Sequence, residues 1–175
     1  TEGDNDGNTT GNTANQNEKE PNEDDKNGGG EDVNTGVTVS YANPMSEMKL
    51  LHEHGFFYNS TLNNYYMHQG VDVSAEAGSE VCALAAGTVE AIYTADVLQG
   101  TQIVLNHGDG LTSEYHYVEP VDGLKVGDTV IAGQVIATVA EPTGAEYKDG
   151  AHLHLEVFES GKNVDPAKYL TLEEK

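Results

Sequence analysis

The chain has 175 residues, thirty of them acidic against eight lysines and no arginine, for a net charge of -22. That length supports one well-packed domain plus a tail, and that charge repels phosphate backbones and anionic membrane surfaces, which excludes nucleic acid as a partner. The single cysteine, Cys82, excludes an internal disulfide and any multi-cysteine metal site, so a metal in this chain falls to His, Asp or Glu.

Thr1 to Gly36 is Gly, Asn, Thr, Asp and Glu with almost nothing apolar. Such a composition buries too little surface to offset ordering entropy, so 1–36 is expected to be a disordered acidic linker and 37–175 the folded domain. No apolar run is long enough to cross a bilayer, and the chain begins at Thr1 with neither a basic n-region nor a start methionine. It reads as a truncated or processed product, which is compatible with the removal of an N-terminal anchor.

From Val37 onward short apolar runs are cut by Gly, Asp and Asn, a rhythm of strands and turns. His52-Glu53-His54 is followed at once by Gly55 and reads as a surface loop. In His68-Gln69-Gly70-Val71-Asp72 a fully extended chain would separate the two terminal α-carbons by about 13 Å, too far for one metal ion, so a shared ion requires a bend, which Gly70 permits. Val71 to Val73 reads as a strand, with the Asp72 carboxylate between two valines and in need of a partner. Glu80 to Ala85 and Gly87 to Tyr93 read as further strands, Cys82 behaving as a small buried hydrophobe.

Thr101 to Asn106 and Leu111 to Val118 flank His107-Gly108-Asp109-Gly110, where Asp-Gly signals a hairpin and His107 holds the turn. Regular alternation along the second of these strands turns His116 away from the face shared by Tyr115 and Tyr117, so that only a bulge would re-aim it. Thr129 to Val130 and Gln134 to Val139 bracket Ala132-Gly133. His152-Leu153-His154-Leu155-Glu156 alternates so that both imidazoles and the carboxylate leave one face of a strand. Taken alone, that pattern suits a solvated strand face as well as a metal site. Asp165-Pro166 caps a short final turn. The expected architecture is all-β, antiparallel sheets folded over one another.

The order of these motifs resembles the lysostaphin and LytM-type zinc metallopeptidases. The stretches that carry the resemblance are His68 to Asp72, Gly78 to Val89, His107 to Tyr115, Val126 to Ile136 and His152 to His154. Five ordered motifs over about Asn64 to Leu170 are far more specific than any one of them. The resemblance implies a barrel-sandwich-like fold and a zinc ion held by His68, Asp72 and His154 with a fourth position open to water. It also implies that His152 is left for acid–base work, and that the substrate is a peptide bridge of peptidoglycan outside the cytoplasmic membrane, reached by a secreted or tethered domain.

One position departs from that pattern. Where the family usually has a second acid–base histidine, this chain has Tyr117, whose phenol suits an oxyanion hydrogen-bond donor rather than a proton shuttle. Together with Tyr65-Tyr66-Met67-His68, the substitution resembles sporulation proteins of the stage II Q type, which implies a catalytically impaired scaffold that binds a partner protein or the cell wall. Two other classes share the Val-x-x-Gly-Asp-x-Val-x-x-Gly pattern. A lipoyl or biotinyl carrier lacks its hairpin-tip lysine here, and a sugar-phosphotransferase A domain leaves Asp72 unexplained.

Overall fold

The computed structural model describes residues 39–172, so the expectation for Thr1 to Gly36 lies outside the described residues. In chain order the strands are β1 (Leu50–His52), β2 (Gly55–Asn59), β3 (Asn64–His68), β4 (Gly70–Ser74), β5 (Glu80–Cys82), β6 (Gly87–Asp96) and β7 (Gly100–Gly108). They continue with β8 (Leu111–His116), β9 (Val118–Pro120), β10 (Thr129–Val130), β11 (Val135–Val139), β12 (His152–Glu159) and β13 (Lys162–Val164). Short 3-10 turns lie at Gly144–Asp149 and Pro166–Tyr169. Among the described residues no helix is long and apolar enough to cross a membrane.

The strands pair antiparallel, as the turn-rich sequence requires. An eight-stranded sheet runs β1-β4-β12-β8-β7-β6-β10 with β13 beside β12, a three-stranded sheet runs β5-β11-β9, and β2 and β3 form a separate hairpin. Alternation explains the core. Val71 and Val73 of β4, Tyr115 of β8 and Leu153, Leu155 and Val157 of β12 join Val81, Val118, Ile136 and Val139 of the smaller sheet in one buried cluster. Each large aliphatic side chain in it contributes about 2 kcal/mol of burial. The opposite face of the large sheet is thereby left with Asp72, Glu114, His116, His152, His154 and Glu156.

The β7–β8 hairpin closes as the Asp-Gly signal predicts, with Asp109 and Gly110 at φ 48 and φ 78, the left-handed pair of a type I′ turn. Asp165 caps the last turn through Ala167 N, with Pro166 at its first position. Other boundaries moved. β5 stops at Cys82, and because Val81 takes the inward register Cys82 is only half-buried. The expected strand from Leu111 to Val118 breaks at Tyr117, whose φ of 57 lies in the left-handed region. That kink carries the chain from β8 in the large sheet to β9 in the small one, so Tyr117 is a corner between sheets.

Hairpin β2–β3 has no clean alternation to reveal it, because Phe56, Tyr58, Tyr65 and Met67 all face outward. Its turn is held by Asn59, whose side-chain oxygen accepts from Leu62 N at 2.7 Å, and by Asn63 at positive φ. The hairpin ends at His68 and the large sheet begins again at Gly70, so the bend required between His68 and Asp72 falls at this change of sheet.

Candidate functional site

Three side chains from three strands converge on the polar face of the large sheet. His68 arrives from the end of β3, Asp72 from β4 and His154 from β12, where it is the register partner of Asp72. His68 Nε2 lies 3.2 Å from Asp72 Oδ1 and 3.1 Å from His154 Nδ1, and His154 Nδ1 lies 2.8 Å from Asp72 Oδ1. All three residues are buried. One proton serves only one such contact, whereas a cation serves all three. The edges of a tetrahedron around zinc are about 3.4 Å, so the spacing suits that ion.

The outer atoms of these residues fix the direction of the inner ones. His68 Nδ1 donates to the Glu53 carbonyl at 2.9 Å, and His154 Nε2 donates to Glu156 Oε1 at 3.2 Å, which turns His68 Nε2 and His154 Nδ1 inward. Asp72 Oδ2 accepts from His52 Nδ1 at 2.8 Å, leaving Oδ1 for the centre. Asn163 Nδ2 donates to Glu156 Oε2 and to the Gln69 carbonyl, tying the outer ring together. His52-Glu53-His54 is therefore not a free surface loop. His52 and Glu53 back the site, and His54 bonds Asn163 at 3.0 Å. No local pattern marks this role, because it arises from β1 pairing with β4 through an irregular register at His52 and Asp72.

Gly70 allows the closeness of this packing. A methyl group there would lie 2.7 Å from His154 Nε2 and 2.5 Å from the Leu155 carbonyl oxygen. Gly70→Ala is expected to cost about 2 kcal/mol or more and to weaken metal binding by displacing the His154 ring. Paired thermal melts with and without zinc check this, and an unchanged melting temperature in both would remove the argument.

His154 is also the group whose protonation a metal must overcome. Burial alone would strip its proton, but the carboxylates of Asp72 and Glu156 outweigh burial and push the imidazole up to about 10. The proton is thus bound below that pH in the metal-free chain and is displaced on metal binding. Zinc uptake at neutral pH should release about one proton from His154, with apparent affinity rising roughly tenfold per pH unit below about 10. Titration calorimetry in buffers of different ionisation enthalpy measures this, and zero release would contradict it.

His152, two residues before His154 on the same face, is buried beside the centre rather than in it. Its Nδ1 donates to the Gly150 carbonyl at 2.8 Å, and its Nε2 lies 3.9 Å from Asp72 Oδ1 and 3.3 Å from Glu146 Oε2. The ring of Tyr117 packs on His152 at 5.0 Å, and its phenol donates to the Leu98 carbonyl at 3.1 Å. His116 is opposite to its expected placement. It is buried and packs on His154 at 5.0 Å, because it is the register partner of His154 and ordinary alternation aims it at the site. Tyr117 is the residue re-aimed, by its positive φ, so the two adjacent side chains reach the same groove. His116 Nε2 has no hydrogen-bond partner among the described residues and lies 3.6 Å from Glu114 Oε2.

Glu146 was not legible in the sequence. It lies in the Gly144–Asp149 turn, outside any alternating strand, yet is buried with its carboxylate against the three converging side chains. Tyr66 OH donates to its Oε1 at 2.7 Å. The centre opens into a groove of about 370 Å³ lined in part by Tyr66, Met67, Leu98, His116 and Tyr117. His107 stands apart from all of this, bonding Ser113 Oγ across its own hairpin, as expected, and the Ala86 carbonyl just before β6.

Comparison with known proteins gives a consistent result. The family model described as Peptidase family M23 matches residues 66–166. The chain is 30% identical over 105 residues to the murein hydrolase activator NlpD of Escherichia coli, an alignment covering 59% of this chain and 26% of that one. It spans about a quarter to a third of the length of the first curated relatives it matches. The catalytic domain of the antimicrobial peptidase lysostaphin from Staphylococcus simulans superposes with TM-score 0.59 at 28% identity, covering 70% of this chain and 91% of that one. A chain of the SpoIIQ–SpoIIIAH pore forming complex superposes with TM-score 0.62 at 24% identity, covering 75% of this chain and 91% of that one, and shares the fold.

Proposed function

The chain belongs to peptidase family M23, and from that membership we propose that it is a zinc-dependent endopeptidase that hydrolyses peptide cross-links or bridges of bacterial peptidoglycan. The observation that carries this reading is the convergence of His68 Nε2, Asp72 Oδ1 and His154 Nδ1, each within 3.2 Å of the other two, at the head of a groove. Zinc bound by these residues supplies Lewis-acid polarisation of an amide carbonyl and lowers the pKa of water. The remaining roles belong to the chain. His152, fixed by its Nδ1 bond to Gly150, takes a proton from the attacking water at Nε2 and returns it to the leaving amine. Tyr117 donates to the carbonyl oxygen as negative charge develops, once its phenol leaves the Leu98 carbonyl. Tyr66, Met67 and Leu98 give the groove part of its apolar wall.

Because murein lies outside the cytoplasmic membrane, the domain works there, secreted or tethered, with 1–36 as spacer and 37–175 as the working part. A second reading is favoured by one observation. The phenol at position 117 is committed to a backbone carbonyl, which suits a catalytically impaired zinc scaffold that binds a partner protein or the cell wall. The similarity to NlpD, a protein named as an activator of hydrolases, agrees with that reading. The two are separated by incubating the zinc-loaded domain with purified peptidoglycan and following new amino groups. Release that stops on chelation is the expected result, and none at any pH with zinc still bound would leave the scaffold.

A further inference from the structure

Glu146 lies beside the three converging donors, on the side from which an open zinc site would take its water. Its Oε2 lies 3.5 Å from His154 Nδ1 and its Oε1 lies 3.8 Å from His68 Nε2, close to the tetrahedral edges already spanned by the other three donors. All four donor atoms fall within 4.8 Å of one another. We infer that Glu146 is a fourth protein ligand that closes the metal centre, so that the resting domain holds zinc with no exchangeable position until the Gly144–Asp149 turn moves. This rests on the metal reading above and concerns how that site is regulated.

Charge balance supports the inference. Asp72 and Glu146 are two buried carboxylates facing the same point, and a divalent cation bound there would offset their repulsion when it displaces the His154 proton. Two neutral imidazoles and two carboxylates neutralise one divalent ion. The orientation of Glu146 is also imposed from outside, by Tyr66 OH on Oε1 and by His152 Nε2 on Oε2. One carboxylate therefore holds both the water position and the proposed base, and a single displacement frees both.

The turn that carries Glu146 is docked at several points. Ala145 N donates to the Leu98 carbonyl at 2.7 Å, Asn59 Nδ2 to the Ala145 carbonyl at 3.0 Å, and Lys148 N to Thr61 Oγ1 at 3.0 Å. Leu98 is also the acceptor for the Tyr117 phenol. Opening thus requires the turn to part from both the β2–β3 hairpin and the Leu98 carbonyl, which the Tyr117 phenol shares with Ala145 N.

The experiment uses the full chain with cobalt in place of zinc, whose visible absorption reports coordination number, and acetohydroxamate as the probe for an open position. The wild type should bind one cobalt per chain with a spectrum unmoved by millimolar acetohydroxamate. Glu146→Ala should still bind cobalt, more weakly by roughly tenfold or more, and its bands should fall and shift as the probe adds to the metal. A wild-type spectrum that responds to the probe as readily as Glu146→Ala overturns the closed centre while leaving the metal site intact. A wild type that takes up no cobalt, like an Asp72→Ala control, overturns the metal reading and this inference with it. Because the wild-type response alone discriminates, the test survives a poorly folded variant, and Glu146→Gln serves as a second one.

Discussion

Asp72→Ala and His154→Ala should leave the purified domain without zinc, whereas His152→Ala should keep a full complement and lose turnover. The difference follows from which atoms face inward. Asp72 Oδ1 and His154 Nδ1 lie 2.8 Å apart and each also contacts His68 Nε2, while His152 Nε2 stands 3.9 Å from Asp72 Oδ1 and bonds Glu146. Removing Asp72 leaves buried groups without their counter-charge, a loss of about 3–5 kcal/mol, or roughly two to three and a half decades of affinity. Metal analysis after dialysis reads the result directly. Full zinc retention by both Asp72→Ala and His154→Ala would sink the assignment, and loss of zinc from His152→Ala would exchange the roles of the two β12 histidines.

The second large effect is expected at Tyr117. In the endopeptidase reading Tyr117→Phe removes the donor to the developing oxyanion and should cut turnover by roughly a hundredfold with zinc retained. In the scaffold reading the wild type is already silent, and Tyr117→His, which restores an imidazole beside His152, should create weak hydrolysis. Cleavage by the wild type that survives Tyr117→Phe intact would contradict both. It would direct attention to His116, whose unbonded Nε2 faces the same groove, and His116→Ala in the same peptidoglycan assay would decide that point.

How much of this was legible in the sequence depended on whether alternation held. On β4 and β12 it held throughout, so the residue pattern by itself puts Val71, Val73, Leu153 and Leu155 in the core and Asp72, His152 and His154 on the opposite face. Alternation failed at Tyr117, where one left-handed residue reverses the facing of everything after it. Reading through that break made His116 look outward. The convergence of His68 with the others was legible only as a requirement for a bend, met at the passage from β3 to β4.

Glu146 and His52 were illegible for a different reason. Each reaches the centre through tertiary placement, Glu146 from a 3-10 turn and His52 through the register of an edge strand, and neither mechanism leaves a periodic trace. The β2–β3 hairpin was hidden by its own composition, since Phe56-Phe57-Tyr58 and Tyr65-Tyr66-Met67 give apolar runs with no period of two.

The position of β1 carries a last implication. This strand is the outer edge of the eight-stranded sheet, and its last residue, His52, braces Asp72 while the next carbonyl, that of Glu53, braces His68. Edge strands are where a sheet frays first, since one side has no neighbour to pair with. Here the fraying edge is hydrogen-bonded to two of the proposed metal ligands. If those residues hold zinc as proposed, metal content and cohesion of that rim become one equilibrium, a starved chain loosening from the rim inward and a loaded one stitched shut along it.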